Sequence, residues 1–383
     1  MEHALEGIRV LDLSSYIAGP YAAMLLGDQG AEVIKLERPK GDPYRKVPGF
    51  LVWNRGKRSI TVDLKKKEGQ KIAQELAKRS DIVIESFQPG VADRLAVGFE
   101  TLRSLNPRLV YCAISGFGEK GPHKDKPGYD PIVASLAAVY ADQGLKDNPV
   151  FVALPLTSYF TALMAVQGLT TALLARDITG KGQMVEMPLL NGVLEAEAHR
   201  IVDFPGVIRL PSGSLGPAPL YRLHKTADDW VMVCCGNPTF CNKLAIALGH
   251  EEWVSQPMFE GVPYGVPPEY RDQLARAVGE AFATKPREEW LRIAREQDLP
   301  LAPTKTVEEF LDDPQVKANN MVVELNDPTV GKVRQMGIPV KLEHTPGQIK
   351  GPAPRLGQHT DEILRELGYS AASIAELKAK KAI

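Results

Sequence analysis

No two cysteines of this sequence stand at CxxC spacing, and the four present (Cys112, Cys234, Cys235 and Cys241) form no regular framework. A disulfide-stapled secreted fold is therefore not expected; reduced thiols in the cytoplasm are. The seven histidines are scattered, with no HExxH and no Cys/His cluster, so no metal site is expected. An excess of basic charge is missing too. Lys and Arg total 46 against 47 Asp and Glu, a net charge of -1. No global positive field exists to hold nucleic acid or an anionic membrane, so any anion site must be local. Apolar runs stop short of the roughly 18–20 residues of a membrane span once Thr, Ser and Gln are discounted. The opening MEHALEGIRV has no basic segment leading into an apolar core, so no signal peptide is expected.

What is present is an ordinary globular mixture, 44% hydrophobic and 24% charged over 383 residues. That length suits two domains at roughly 100–200 residues each. The first third alternates β-rich runs (IRVLDL, AEVIKLER, SITVDL, DIVIESF, LVYCAISGFG) with helical ones (GPYAAMLLGDQG, KKEGQKIAQELAKRS, VADRLAVGFETLRSLNP). Such alternation predicts an α/β fold, a Rossmann-like parallel sheet with helices on both faces. The segment KGQMVEMPLLNGVLEAEAHRIVDF reads as a strand leading into a helix. Residues 205–222 are rich in Pro, Gly and Ser and read as a linker or functional loop. This divides the chain into a large domain over 1–204, the linker, a smaller α+β domain over 223–315, and a tail over 316–383 that returns to the large domain. The tail ends in a helix, TDEILRELGY, with Thr360 as its cap.

Three local features invite a function. GFGEKG (Gly116 to Gly121) matches GxGxxG, but PHKDKPGYD follows it without helical periodicity, so a nicotinamide site is not expected. Arg38, Arg55, Lys57, Arg58 and Arg94 fall near strand ends or loops, where the fork of an arginine suits phosphate; solvated surface charge is the plainer reading. Ala153 to Arg176 is one long apolar helix, with Pro155 ahead of it and Thr157 or Ser158 as its cap. Ser158 has no GxSxG elbow and no nearby His, so a serine nucleophile is not indicated. That helix also has no acid in its first turn, where the helix dipole favours one.

Taken together the segments resemble the class III CoA-transferases, the family of formyl-CoA transferase, carnitine CoA-transferase and α-methylacyl-CoA racemase. The likeness runs nearly end to end, through LEGIRVLDLSSYIAGPYAAMLLGDQGAEVIKLERPKGDPYR, NRGKRSITVDLKKKEGQ, DIVIESFQPGVADRLAVGFETLRSLNPRLVYCAISGFGEKGP, PGYDPIVASLAAV, TGKGQMVEMPLL and PAPRLGQHTDEILRELGY. The resemblance implies an interlocked-ring dimer in which each subunit has a Rossmann-like large domain and a small domain. It implies coenzyme A or acyl-CoA as substrate, held by Ile17, Ala18, Arg38, Val62, Asp63, Leu64, Lys65, Ser86, Phe87, Gln88 and Arg94, with Tyr129 and Asp130 in the PGYD block. Ser86 and Gln88 stand where many relatives carry Asn and Gly.

Family transferases place an Asp eighteen residues before the position of Arg176, at the mouth of the long helix. That carboxylate attacks the acyl-CoA thioester, gives a mixed anhydride and then an aspartyl-CoA thioester, and passes CoA to a new acid. Counting back from Arg176 lands on Ser158. Racemase chemistry pairs the same Asp with a His at the position of Tyr129, and this chain has neither. Three readings stay open. The first is a subunit without its own nucleophile that works with a homologous Asp-bearing subunit, as heterodimer or heterotetramer; it resembles the succinyl-CoA:benzylsuccinate CoA-transferase pair. The second is a homodimeric transferase with a displaced carboxylate, Asp130 or Asp142. The third is a non-catalytic acyl-CoA-binding protein.

Overall fold

The computed structural model describes residues 2–144, 147–206 and 213–383. Residues 207–212 of the linker anticipated at 205–222 lie outside them. The chain clusters into two compact units: Met1–Ala137, Leu154–Val202 and Pro314–Ile383 in one, Ala138–Ala153 and Asp203–Asp313 in the other. The sequence boundaries differ from this clustering chiefly at Ala138–Ala153, which group with the second unit.

The first unit is built on a six-stranded parallel sheet: β1 (Arg9–Asp12), β2 (Glu32–Glu37), β3 (Arg58–Thr61), β4 (Ile82–Glu85), β5 (Val110–Ala113) and β6 (Met184–Glu186). The strand order is β3-β2-β1-β4-β5-β6. The inner strands β4 and β5 are buried at every position, as β-rich runs in a sheet covered on both faces must be. The covering helices are α1 (Ala18–Asp28), the short α2 (Phe50–Trp53), α3 (Lys67–Lys78), α4 (Val91–Arg94), α5 (Phe99–Leu105) and α6 (Asp130–Leu136). The run VADRLAVGFETLRSLNP is two helices rather than one, because Ala96 takes a left-handed φ of 55° and Gly98 follows in extended backbone. After α7 (Val139–Gln143), which belongs to the second unit, come α8 (Leu156–Thr179) and α9 (Leu189–Ala196).

The 24-residue α8 is long and apolar enough to cross a membrane by length and composition, more so than the broken apolar runs suggest. Its buried residues Thr161, Ala162, Ala165, Leu169, Ala172, Leu173 and Arg176 recur at helical spacing and pack on α1, α6 and α9. Arg176 closes that stripe with an ion pair to Asp81 at 2.8 Å.

The second unit carries a three-stranded antiparallel sheet, β7 (Tyr221–Lys225), β8 (Trp230–Cys234) and β9 (Leu301–Pro303). Its helices α10 (Pro238–Ala247), α11 (Pro268–Phe282) and α12 (Arg287–Gln297) enclose a core around Val231, Val233, Leu244, Leu274, Phe282 and Trp290. The short α13 (Val307–Leu311) ends this unit behind a Thr306–Glu309 capping box.

Residues from 314 onward return to the first unit through α14 (Pro314–Ala318), the hairpin β10 (Val322–Asp327) and β11 (Gly331–Met336), α15 (Thr360–Glu366) and α16 (Ala371–Ala379). This tail closes the exposed edge of the sheet: Ser59 N–H donates to His359 Nδ1, His359 N–H to the Ser59 carbonyl, and Thr61 N–H to Thr360 Oγ1. The anticipated Thr360 cap is therefore not made. Thr360 lies inside α15, and its hydroxyl is taken by the strand.

Candidate functional site

In a sheet ordered β3-β2-β1-β4-β5-β6 the chain winds away from β1 in both directions, leaving a crevice at the carboxyl ends of β1 and β4. A cavity of about 670 Å³ opens there. Its walls are the turn after β1 (Ser15 to Gly19), the turn after β4 (Ser86 to Pro89), Ser115 and Gly116 after β5, Tyr129 and Asp130 at the start of α6, and Ser158 in the first turn of α8.

The β1 turn is pinned from beneath by buried charge. Asp12 accepts from the N–H and the hydroxyl of Ser14 and from Lys57 Nζ at 2.8 Å. Lys35 Nζ donates to the Ser14 carbonyl and lies 3.3 Å from Asp42. Asp42 in turn accepts from the N–H groups of Tyr16 and Tyr44. Burial pushes the Asp12 carboxyl up, but Lys35 and Lys57 outweigh it and hold Asp12 below the usual carboxylate range. Burial brings Lys57 down to about 8. The pins hold Tyr16 at a left-handed φ of 69°, a conformation that costs on the order of 1–3 kcal/mol in a residue with a side chain. Its ring meets Tyr44 and Tyr129 edge-on, at 5.1 and 5.7 Å between centroids.

The helix mouth differs from the sequence expectation. Neither Thr157 nor Ser158 caps α8; the helix begins at Leu156, and Ser158 sits inside its first turn. Its N–H is one of the orphan donors of a helix start, and Asp130 Oδ2 accepts it at 2.6 Å. The acid missing from the first turn thus arrives from α6. Burial raises the Asp130 pKa, partly offset by the Ser158 hydroxyl and N–H.

Of the anticipated site residues, Ile17, Ala18, Ser86, Phe87, Gln88, Tyr129, Asp130 and Ser158 line this one cavity. Arg38 and Arg94 are exposed and are not among its lining residues. Nor are Val62, Asp63, Leu64 and Lys65: Val62 is fully buried in the sheet's core, Leu64 packs beside it, and Asp63 turns back to accept the Lys65 N–H. Three of the basic positions read as phosphate candidates are committed elsewhere. Arg55 pairs with Asp28, Lys57 with Asp12, and Arg58 with Glu32, Glu362 and Glu366. Asp142 lies on α7 in the second unit.

Sequence reading missed Tyr16, Tyr44, Lys124 and Lys126, all of which line the cavity. The two lysines stand in PHKDKPG, a segment whose only legible signal was its prolines. That segment opens no helix before Asp130, so GFGEKG cannot present a helix N-terminus to a pyrophosphate. Gly116 serves close packing instead: a Cβ there would lie 2.4 Å from the Cα of Gly128. Among the described residues no group of three His, Cys, Asp or Glu side chains could hold a metal ion.

The comparisons agree with this architecture. The family model described as CoA-transferase family III matches residues 5–360. The chain is 32% identical to succinyl-CoA--D-citramalate CoA-transferase of Chloroflexus aurantiacus, over 99% of this chain and 98% of that one. It is 30% identical to the beta subunit of succinyl-CoA--L-malate CoA-transferase of the same organism, with the same coverage. The crystal structure of a CAIB/BAIF family protein from Brucella suis superposes with a TM-score of 0.82 at 29% identity, covering 96% of this chain and 100% of that one. With a match that spans both units and the cavity between β1 and β4 included in it, the chain belongs to the class III CoA-transferase family.

Proposed function

We propose that this chain is a CoA-transferase subunit that binds acyl-CoA at the carboxyl ends of β1 and β4 but supplies no nucleophile of its own. The observation that carries this is Ser158, a hydroxyl at the helix mouth where relatives place their attacking Asp. A serine ester formed there would stall, because an alkoxide leaves far less readily than a carboxylate. The nucleophile then comes from a homologous Asp-bearing subunit interlocked with this one in the cytoplasm. The exposed apolar side chains Ile132 and Leu136 on α6, Leu163, Leu174 and Ile178 on α8, and Leu194 on α9 support a protein partner for this face. One relative is itself named as a beta subunit, whereas another is named without a subunit.

In this reading Lys124 and Lys126, with Arg38 and Arg94 from outside the cavity wall, meet the CoA phosphates. The turns at Ile17–Ala18 and Ser86–Gln88 hold the rest of the cofactor. The acids exchanged are set by the pair.

A second reading has its own observation. Asp130 lines the same cavity, is half-buried and has a raised pKa, so it is the carboxylate placed to act if one in this chain does. Its oxygen is, however, already engaged by the Ser158 N–H. Incubating the purified chain with acyl-CoA, trapping with hydroxylamine or borohydride and mapping by mass spectrometry decides between them. No modified carboxylate is expected. Label on Asp130 or Asp142 establishes a displaced carboxylate, and label on any other acid of the homodimer overturns both readings.

A further inference from the structure

The first turn of α8 faces two ways. Successive helical residues point about 100° apart, so while Ser158 lines the large cavity, Tyr159 lines a second hollow, of about 370 Å³. Tyr21, Gly49, Val52, Trp53 and Met336 complete its wall. Tyr21 and Tyr159 meet edge-to-face, with centroids 5.1 Å apart, and the Tyr21 hydroxyl points to Met336 Sδ at 3.7 Å. None of the six lining residues is charged. The guanidinium nearest Met336, that of Arg55, is committed to Asp28 at 2.6 Å and to the Met336 carbonyl.

We infer that this hollow receives the tail of the acyl group, and that the tail is apolar and aromatic, without a second carboxylate. A carboxylate brought here would find no cationic partner among the lining residues to offset the water it gives up. An aromatic ring gains instead: it buries apolar surface and can pack edge-on against Tyr21, Tyr159 and Trp53. Space is sufficient, since an apolar cavity of about 150 Å³ already holds benzene. Position 49, which lines the hollow, has no side chain. A Cβ there would lie 2.5 Å from the Trp53 ring, while the backbone at φ -59°, ψ -22° suits any residue.

The inference rests on the reading of the neighbouring cavity as the CoA site, and the test separates the two. Calorimetric titration of the purified chain would use CoA and the phenylacetyl and succinyl analogues in which CH2 replaces the thioester sulfur. The phenylacetyl analogue is expected to bind roughly 10- to 100-fold tighter than CoA, the worth of burying a phenyl-sized group. The succinyl analogue is expected to gain nothing. Gly49→Ala, which drives the Trp53 indole into the hollow, and Tyr159→Ala, which removes a wall, should each abolish the phenylacetyl advantage and keep the affinity for CoA. The inference is overturned, with the CoA reading intact, if CoA binds but the two acyl analogues bind alike, or if the advantage survives in both variants. Absence of CoA binding overturns the reading of the cavity and the inference with it.

Discussion

Glu85 ends β4 with its carboxyl buried behind the cavity wall, where Oε2 accepts the Phe87 N–H at 2.6 Å. Burial pushes its pKa from 4.5 up to about 8; the Phe87 hydrogen bond opposes this, and the negative fields of Glu119 and Asp93 add to it. The sign for stability follows. Below about pH 4.5 the folded and unfolded chains both hold the proton. Between there and about pH 8 the unfolded chain releases it while the folded one keeps it, so stability falls as pH rises, by at most about 1.4 kcal/mol per pH unit from this group. Glu85→Gln keeps the acceptor and removes the titration. Urea midpoints at pH 5, 6.5 and 8 should therefore fall less steeply in the variant than in the parent. Parallel curves would show that Glu85 is ionised in the folded protein. Asp130 shows the same residue-scale lesson in space: its raised pKa and its bond to Ser158 come from packing α6 on α8, not from its neighbours in PGYD.

At the scale of elements, α8 and α9 touch backbone to backbone. A Cβ at Gly192 of α9 would lie 2.1 Å from Thr161 Oγ1 and 2.6 Å from Thr161 N, so neither helix can yield by rotating a side chain. Gly192→Ala is expected to force the helices apart and to cost about 1–3 kcal/mol, the range for overpacking, despite alanine's better helix propensity. A thermal midpoint unchanged or raised would contradict this contact. Because α8 also presents Ser158 and Tyr159 to the two cavities, the variant should weaken CoA binding as well. The apolar pattern of α8 foretold a helix but not which of its faces would be covered. Leu174 and Ile178 are as apolar as Leu169 and Leu173, yet the first two are exposed and the last two buried.

At the scale of the whole first unit, the two ends of the chain are joined by buried charge. Arg55, after α2, pairs with Asp28 at the end of α1 and donates to the Met336 and Gly337 carbonyls and to Gln335 on the tail hairpin. Burial holds Asp28 above the ordinary carboxylate range even against Arg55. Arg55→Met leaves that carboxylate without its partner and should cost about 3–5 kcal/mol, read as a lowered urea midpoint. Asp28→Asn combined with Arg55→Met should recover much of the loss, since the stranded charge is then gone. No recovery would mean that the tail carbonyls, not Asp28, are what Arg55 serves.

Local pattern determined the elements. The β-rich runs IRVLDL, AEVIKLER, SITVDL, DIVIESF and LVYCAISGFG became β1 to β5, because side chains buried on both faces of a parallel sheet leave that signature in the sequence itself. The family, and with it the cavity-lining turns at Ile17–Ala18 and Ser86–Gln88, was legible for the same reason: these residues are contiguous with the strands they follow. What only the tertiary structure decided are relations between distant residues. Arg55, Lys57 and Arg58 read as surface or phosphate-binding cations, yet each is held by acids 26 to more than 300 positions away or by Asp12. The first turn of α8 lacks an acid in sequence, and Asp130 supplies one from 28 residues upstream. A one-dimensional pattern records which residues bury apolar surface; it does not record which buried charge will find which partner, because that depends on the approach of elements the chain separates.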